Sequence, residues 1–323
     1  MSDFAIQPAA QFDATTAGAW EGVPMQVYQD APGESHSMLT VLARSPRRYR
    51  LTKDGLINKP VGTHDMMLGT LIHTAVNEGK ESAYHLRPDS YRGPDSARKD
   101  AVMVDKDWNA NSNACKDWLA AHQDKPILTA REALMLNSVA ACVRDDPRAK
   151  KLLAGAWREV SACARNDNLA APYMLRCRFD ILGRDDAGWY WVETKSTRDA
   201  STWGFAGEIK KRLYHVQTAL YRRVLRQLTG DKNVRCYMMP VEKDIAVPRV
   251  NVRQLQPAAM DLGENILDER LALLHRCRLA NKWPTLTDEE EGEHIPFIDL
   301  PEFAYGKTDD LLGMTEIEEE KKP

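Results

Sequence analysis

Between residues 159 and 195 the hydrophobic period of the chain changes, and that change limits the folds open to it. Glu159–Cys163, Met174–Leu182 and Trp189–Lys195 are short segments dominated by aromatic, β-branched and other apolar residues. Such segments predict three strands rather than helices. Asp185, Asp186, Ala187 and Gly188 supply a turn between the last two, which makes them a hairpin. Helical spacing surrounds this block. Leu39, Leu42 and Ala43 share a face before Pro46 interrupts it, and Met67, Leu71, Thr74 and Ala75 follow the same period until Gly79. Further helices are predicted over 131–144, 147–154, 207–228 (closed by Gly230) and 258–280, with a strand over 234–241. Residues 1–33 read as a loosely packed arm, and 80–113 as a polar, irregular and mobile segment.

At 323 residues the chain is long enough for one large core. No apolar run is long enough to span a bilayer, and residues 1–18 lack the basic and apolar regions of a signal peptide, so the cytoplasm is expected. Six scattered cysteines form no C-x-x-C pair, which argues for buried thiols rather than a zinc site. The formal net charge of −3 does not advertise a polyanion partner. A nucleic-acid enzyme with this balance must concentrate its positive charge locally.

The hairpin carries the chemistry. Glu193 and Lys195 stand two apart on one strand and project to one face, and the turn can set Asp180 beside them. Two crowded carboxylates disfavour joint ionisation unless a cation offsets them. Oxygen donors suit magnesium or manganese. Such an ion polarises a phosphodiester and acidifies a bound water, and Lys195 would orient that water or stabilise charge on the phosphate. The triplet alone is weak, since Glu-x-Lys recurs at Glu78–Lys80, Glu208–Lys210 and Glu319–Lys321. An ordinary amphipathic hairpin stays open on spacing alone.

Arg178–Ile181 followed by Val192–Thr197 resembles the split acidic motif of the PD-(D/E)XK nucleases, with Phe179 in the place of the usual proline. More specifically, the chain resembles the RecE (exonuclease VIII) and lambda exonuclease group of phage recombination nucleases, the YqaJ-like family. Leu68–His73 is similar to its Gly-Thr-x-x-His helix, Tyr214–Tyr221 to its Gln-x-x-x-Tyr helix, and Ser35–Leu39 with Ser45–Tyr49 to its serine-containing helix and basic turn. The resemblance spans roughly residues 34–305 in consistent order.

It implies an α/β (α+β) fold, a restriction-endonuclease-like core in which helices flank a central mixed sheet, with a helical N-terminal region. The expected organisation is an arm (1–33) and a single nuclease domain (34–305), followed by an acidic tail (306–323). Within the domain, 34–158 is mainly helical, 159–247 is the core and 248–305 a C-terminal helix and extension. It implies Asp180, Glu193, Lys195, Gln217 and Tyr221 as catalytic residues. Metal ligands would be His73, Asp180, Glu193 and the Thr194 backbone carbonyl, holding one or two Mg²⁺ (or Mn²⁺). Glu159 could reach this cluster, though a structural use is the plainer reading. Ser35, Ser37, Arg44, Arg47 and Arg48 are candidate DNA contacts, with an N-cap serine and a charged turn as the alternative. Lys210, Tyr214, Gln217 and Tyr221 fall on one stripe of the 207–228 helix, beside the apolar stripe of Ile209, Leu213, Val216, Leu220 and Val224. Lys211, Arg212, Arg222 and Arg226 would supply positive charge on the far side.

The implied activity is Mg²⁺-dependent, 5′-to-3′ digestion of linear double-stranded DNA from an end. It would leave a single strand for an annealing protein of the RecT or Red beta kind, and the group's members are ring-shaped homo-oligomers (trimer or tetramer). An endonuclease or RecB-like nuclease subunit, and a DNA-end-binding protein with a vestigial site, are the alternatives. The sequence contains no Walker motif, so any motor would be another chain.

Overall fold

A computed structural model of the chain describes residues 4–57, 62–78, 84–94, 102–166, 173–244 and 246–285. Contacts divide the chain into Met1–Trp283 and Pro284–Pro323, and the first unit carries the sheet and its helices. The expected acidic tail lies outside the described residues.

The centre is a seven-stranded mixed sheet whose spatial order follows the sequence. Its strands are β1 (Ile6–Pro8), β2 (Gly18–Glu21), β3 (Trp157–Asn166), β4 (Tyr173–Asp185), β5 (Gly188–Thr197), β6 (Arg235–Glu242) and β7 (Arg253–Gln254). Strands β2 to β5 are successive antiparallel neighbours, whereas β1 is parallel to β2 and β6 to β5. The helices packed on this sheet are α1 (His36–Arg44), α2 (Pro46–Lys53), α3 (His64–His73), α4 (Ala130–Asp145), α5 (Pro147–Leu153), α6 (Thr202–Lys211), α7 (Tyr214–Thr229) and α8 (Pro257–Ala280). A parallel β5–β6 pair needs a long crossover, and α6 with α7 provides it.

Alternation along β5 explains why both faces are covered. Trp189 and Trp191 join Cys177, Phe179, Leu220 and Leu271 in one core, facing α1, α7 and α8. Tyr190 and Val192 join Ile72, Val139 and Ile181 in the other, facing α3, α4 and α5. A strand buried on both faces reads as a nearly continuous apolar run. Local signals place the helix ends. Ser45 caps α2 with Pro46 in its first turn, Thr129 and Glu132 form a capping box on α4, and Gly230 closes α7 at φ 69°.

Three expectations need correction. Residues 1–33 are built into the fold: β1 and β2 extend the sheet, and Trp20 is buried. No hydrophobic period announced them because a three- or four-residue strand is shorter than any reliable period, and β2 finds its partner more than a hundred residues away in β3. Within 80–113, Ser90–Pro94 and Met103–Asp107 pair as an antiparallel ribbon, while 79–83 and 95–101 lie outside the described residues. The 207–228 helix is two helices, because Leu213 takes the left-handed φ of 56° and turns the chain between α6 and α7.

Helices α7 and α8 are in tight contact at Gly263, where an added Cβ would lie 2.1 Å from the His215 carbonyl oxygen. That oxygen belongs to the backbone and cannot swing aside, so Gly263→Ala must push the helices apart. A urea titration should show a loss of about 3 kcal/mol, the upper end for overpacking.

Candidate active site

The β4–β5 ladder runs from Asp185↔Gly188 to Ile181↔Val192 and stops there. The next register pair would be Asp180 with Glu193. Instead the Asp180 carboxylate accepts the Thr194 N–H at 2.8 Å, and the two strands part. Beyond the split, Glu193 and Lys195 point toward α7 while Thr194 points toward the turn that follows α3.

Glu193 is 1% exposed. Its Oε2 accepts from Lys195 Nζ at 2.9 Å and from Gln217 Nε2 at 3.1 Å, whereas its Oε1 is buried without a hydrogen-bond partner. Burial, helped by the charge of Asp180 and opposed by Lys195, pushes the Glu193 carboxyl up to about 7. Burial alone would lower Lys195, but Glu193 and Asp180 outweigh it and raise the ammonium above its usual range. Its Nζ also lies 5.0 Å from the centre of the Tyr214 ring, so the ammonium is held between a carboxylate and an aromatic face.

On the other side of the split, His73, Glu159 and Asp180 each offer a donor atom, and those atoms all lie within 4.8 Å of one another. They come from α3, β3 and β4. His73 Nδ1 sits 3.5 Å from Asp180 Oδ2 and 3.4 Å from Asn77 Nδ2. Burial works against ionising Asp180, yet His73 and Lys195 overcome it and hold its carboxyl below the usual range. Burial and the neighbouring Asp180 raise Glu159, against the pull of Arg178, whose Nε donates to it at 2.9 Å. Two carboxylates and one imidazole at this spacing fit a divalent cation, whereas Glu193, expected as a ligand, lies outside this group of three and pairs with Lys195.

Glu159 is the residue that sequence reasoning undervalued. It lies across from Asp180, since its neighbours pair as Arg158↔Ile181 and Val160↔Phe179. It adopts φ 52°, a left-handed conformation that costs a non-glycine residue about 1–2 kcal/mol. Strain of this kind persists where a side chain has to be aimed. Asn77 was also missed, although it stands four residues after His73 and so on the same helical face. Its Oδ1 accepts from Thr194 Oγ1 at 2.6 Å, tying the His73 helix to the Lys195 strand.

Other expected residues divide. Gln217 reaches Glu193 directly, but Tyr221 is buried against Phe179 and its hydroxyl accepts from Gln217 Nε2 at 3.1 Å. Tyr221 therefore positions Gln217 rather than touching a substrate. Tyr214 is half-buried between Lys195 and Phe205, and packs as the roof of the lysine rather than as an open DNA contact. Ser35 is buried as the N-cap of α1, and its Oγ lies 3.0 Å from that of exposed Ser37. Arg44, Arg47, Arg48 and Lys210 are exposed. Arg222 is not a solvent-facing charge: it is 3% exposed and pairs with Asp261 and Glu264 on α8, and Arg226 turns to the same Glu264 and to the Lys232 carbonyl. Helix α7 is clasped by α8 on the side that periodicity left as solvent.

Three variants separate ligand from scaffold. Glu159→Gln keeps the volume and should weaken Mn²⁺ binding by at least about tenfold in calorimetry, with an unchanged circular dichroism spectrum. An unaltered affinity would make Glu159 only the partner of Arg178. Gln217→Ala should lower single-turnover cleavage of DNA by about tenfold or more. Tyr221→Phe, which leaves the Gln217–Glu193 bond intact, should cost less than Gln217→Ala.

Residues 35–293 match a family model described as a PDDEXK-like domain of unknown function (DUF3799). No curated protein matches the chain. Among solved structures, that of a Eubacterium rectale protein provisionally named an exonuclease is similar at a TM-score of 0.53 and 10% identity, over 89% of this chain and 97% of that one. At that identity the likeness speaks for the fold. The structure of SSO0001, at 14% identity over 42% of this chain and 56% of that one, has a TM-score of 0.24, too low to carry an argument. With the family match spanning most of its length and the split hairpin at its centre, the chain belongs to the PDDEXK-like family DUF3799.

Proposed function

We propose that this protein is a metal-dependent nuclease that digests linear double-stranded DNA from an end. One observation carries the reading. His73, Glu159 and Asp180 converge at the place where the β4–β5 ladder parts, beside a buried Glu193–Lys195 pair whose Glu193 Oε1 has no partner. Charged side chains this crowded and this buried mark functional sites more often than structural ones.

His73, Glu159 and Asp180 would hold the divalent ion, for which Mg²⁺ is our choice. Once bound, such an ion supplies positive charge to a phosphodiester and acidity to a coordinated water. The chain's own residues do the rest. Lys195 keeps its proton because Glu193 and Asp180 favour its charge, so its ammonium stands ready to stabilise a phosphate that gains charge. Gln217 fixes the Glu193 oxygen that holds Lys195, and Tyr221 fixes Gln217. Asn77 orients His73 and ties it to the strand that bears Lys195.

Exonucleolytic action, 5′-to-3′ polarity, a ring-shaped homo-oligomer and a single-strand annealing partner are proposed from the motif order of the RecE and lambda exonuclease group. Among the described residues no helix is long and apolar enough to cross a membrane. The cytoplasm, where DNA ends arise, is the proposed location.

Linear and covalently closed duplexes incubated with Mg²⁺ test the reading. Linear DNA should be degraded progressively and closed circles left whole, with activity lost in EDTA and restored by added Mg²⁺. Lys195→Ala should lower the rate by about 10²–10³-fold. Cutting of closed circles would replace the exonuclease with an endonuclease, and binding without cleavage would overturn both.

A further inference from the structure

The outer face of α6 carries a feature the site chemistry does not use. Trp203 is 90% exposed, the most exposed of the large hydrophobic side chains among the described residues. Ala206, Gly207 and Lys210 follow it at three-, four- and seven-residue spacing and are all exposed, so the four form one stripe. A Cβ added at Gly207 would meet nothing within 4 Å. The stripe is therefore an open shelf, with an indole at one end and Lys210, beside exposed Lys211, at the other. At a rise of 1.5 Å per residue the shelf is about 10 Å long. Exposed Arg253 adds a further cation at the indole end, its Nε 3.5 Å from Thr202 Oγ1.

The nearby carboxylates are turned away from it. Glu208 Oε1 accepts from Thr197 Oγ1 at 2.9 Å and Glu208 Oε2 faces Arg212 at 3.3 Å. Asp199 lies against Gly204, off the stripe, where it accepts the Ser201 N–H at 2.8 Å and faces Arg249 at 3.9 Å. The shelf is also fastened to the site. Thr197, which holds Glu208, stands two residues after Lys195, and Phe205 on the inner side of α6 packs on Tyr214, the roof of that lysine.

From this juxtaposition we infer that the outer face of α6 is a nucleic-acid subsite: a base of the strand being processed stacks on Trp203, while its phosphates cross the Ala206–Gly207 step to Lys210 and Lys211. The inference rests on the nuclease reading and adds where the strand lies. An aromatic face accepts any base, and lysines answer the backbone charge, so recognition would be independent of sequence.

The test uses the full chain and a fluorescein-labelled duplex with a single-stranded overhang. Anisotropy in EDTA gives affinity, cleavage in Mg²⁺ gives kcat and KM, and light scattering gives mass. Trp203→Ala should weaken binding by about fivefold or more and raise KM in parallel, with kcat unchanged. Trp203→Phe, which keeps a stacking face, should recover most of the affinity. Lys210→Gln should reduce the salt dependence of binding by about one counterion. Equal binding by wild type and Trp203→Ala would overturn the subsite. So would a change of mass in Trp203→Ala at unchanged affinity, which would make the indole a contact between copies of the chain. Wild-type protein that binds through Trp203 yet never cleaves would sink the nuclease reading and leave the subsite standing.

Discussion

The hydrogen bond from the Thr194 N–H to Asp180 is the contact on which the site depends. A buried backbone donor must find an acceptor, and in a continued ladder that acceptor would be a carbonyl on β4. A side-chain carboxylate takes its place, and only for that reason can β4 and β5 separate after Ile181↔Val192 without stranding a polar group. Separation leaves Glu193 and Lys195 between the sheet and α7. It also fixes Asp180 where His73 and Glu159 reach it.

Bringing so many charges together inside a protein is costly unless each has an answer. His73 faces Asp180, Arg178 faces Glu159 and Lys195 faces Glu193, so every carboxylate has its own cation. A purely structural network would end there, with all lone pairs used. This one does not: Glu193 keeps an unpartnered buried oxygen and a carboxyl near 7, and burial, with the charge of Asp180, raises Glu159. What is left over is not net charge but an unused acceptor beside the split, and a cation is the partner that would use it.

The sequence was most informative where interactions are local. The hairpin and its turn, the spacing of Asp180, Glu193 and Lys195, and the helices expected over 131–144 and 147–154 could all be read from neighbouring residues. What escaped depends on distant partners or on one dihedral angle. Strand β2 acquires its meaning only by joining β3, and β1 only by joining β2. Arg222 reads as a surface charge until α8 brings Asp261 and Glu264 to it. Leu213 carries no helix-breaking chemistry, yet its positive φ divides one expected helix into two and separates Lys210 from the stripe of Gln217 and Tyr221. Glu159 is legible as an acid at a strand start, but its left-handed backbone, which aims it, is not.

That strained residue explains why the N-terminal segment belongs to the site rather than hanging from it. Arg178 holds Glu159 with Nε and spends Nη1 on the Val23 carbonyl at 2.7 Å and on Ser161 Oγ at 3.1 Å. Two residues earlier on β4, Arg176 donates to the carbonyls of Tyr28, Gln29 and Gly33. Both guanidiniums also lie over the ring of Tyr28. A guanidinium bound to three groups in a fixed fork loses little further freedom with each bond, so it transmits position well. Residues 23–33 thus act as the far anchor of the lever that orients Glu159. This segment, which includes the short helix Met25–Asp30, is held by these guanidiniums and by packing around Trp20, and in return fixes the donor that completes the cluster.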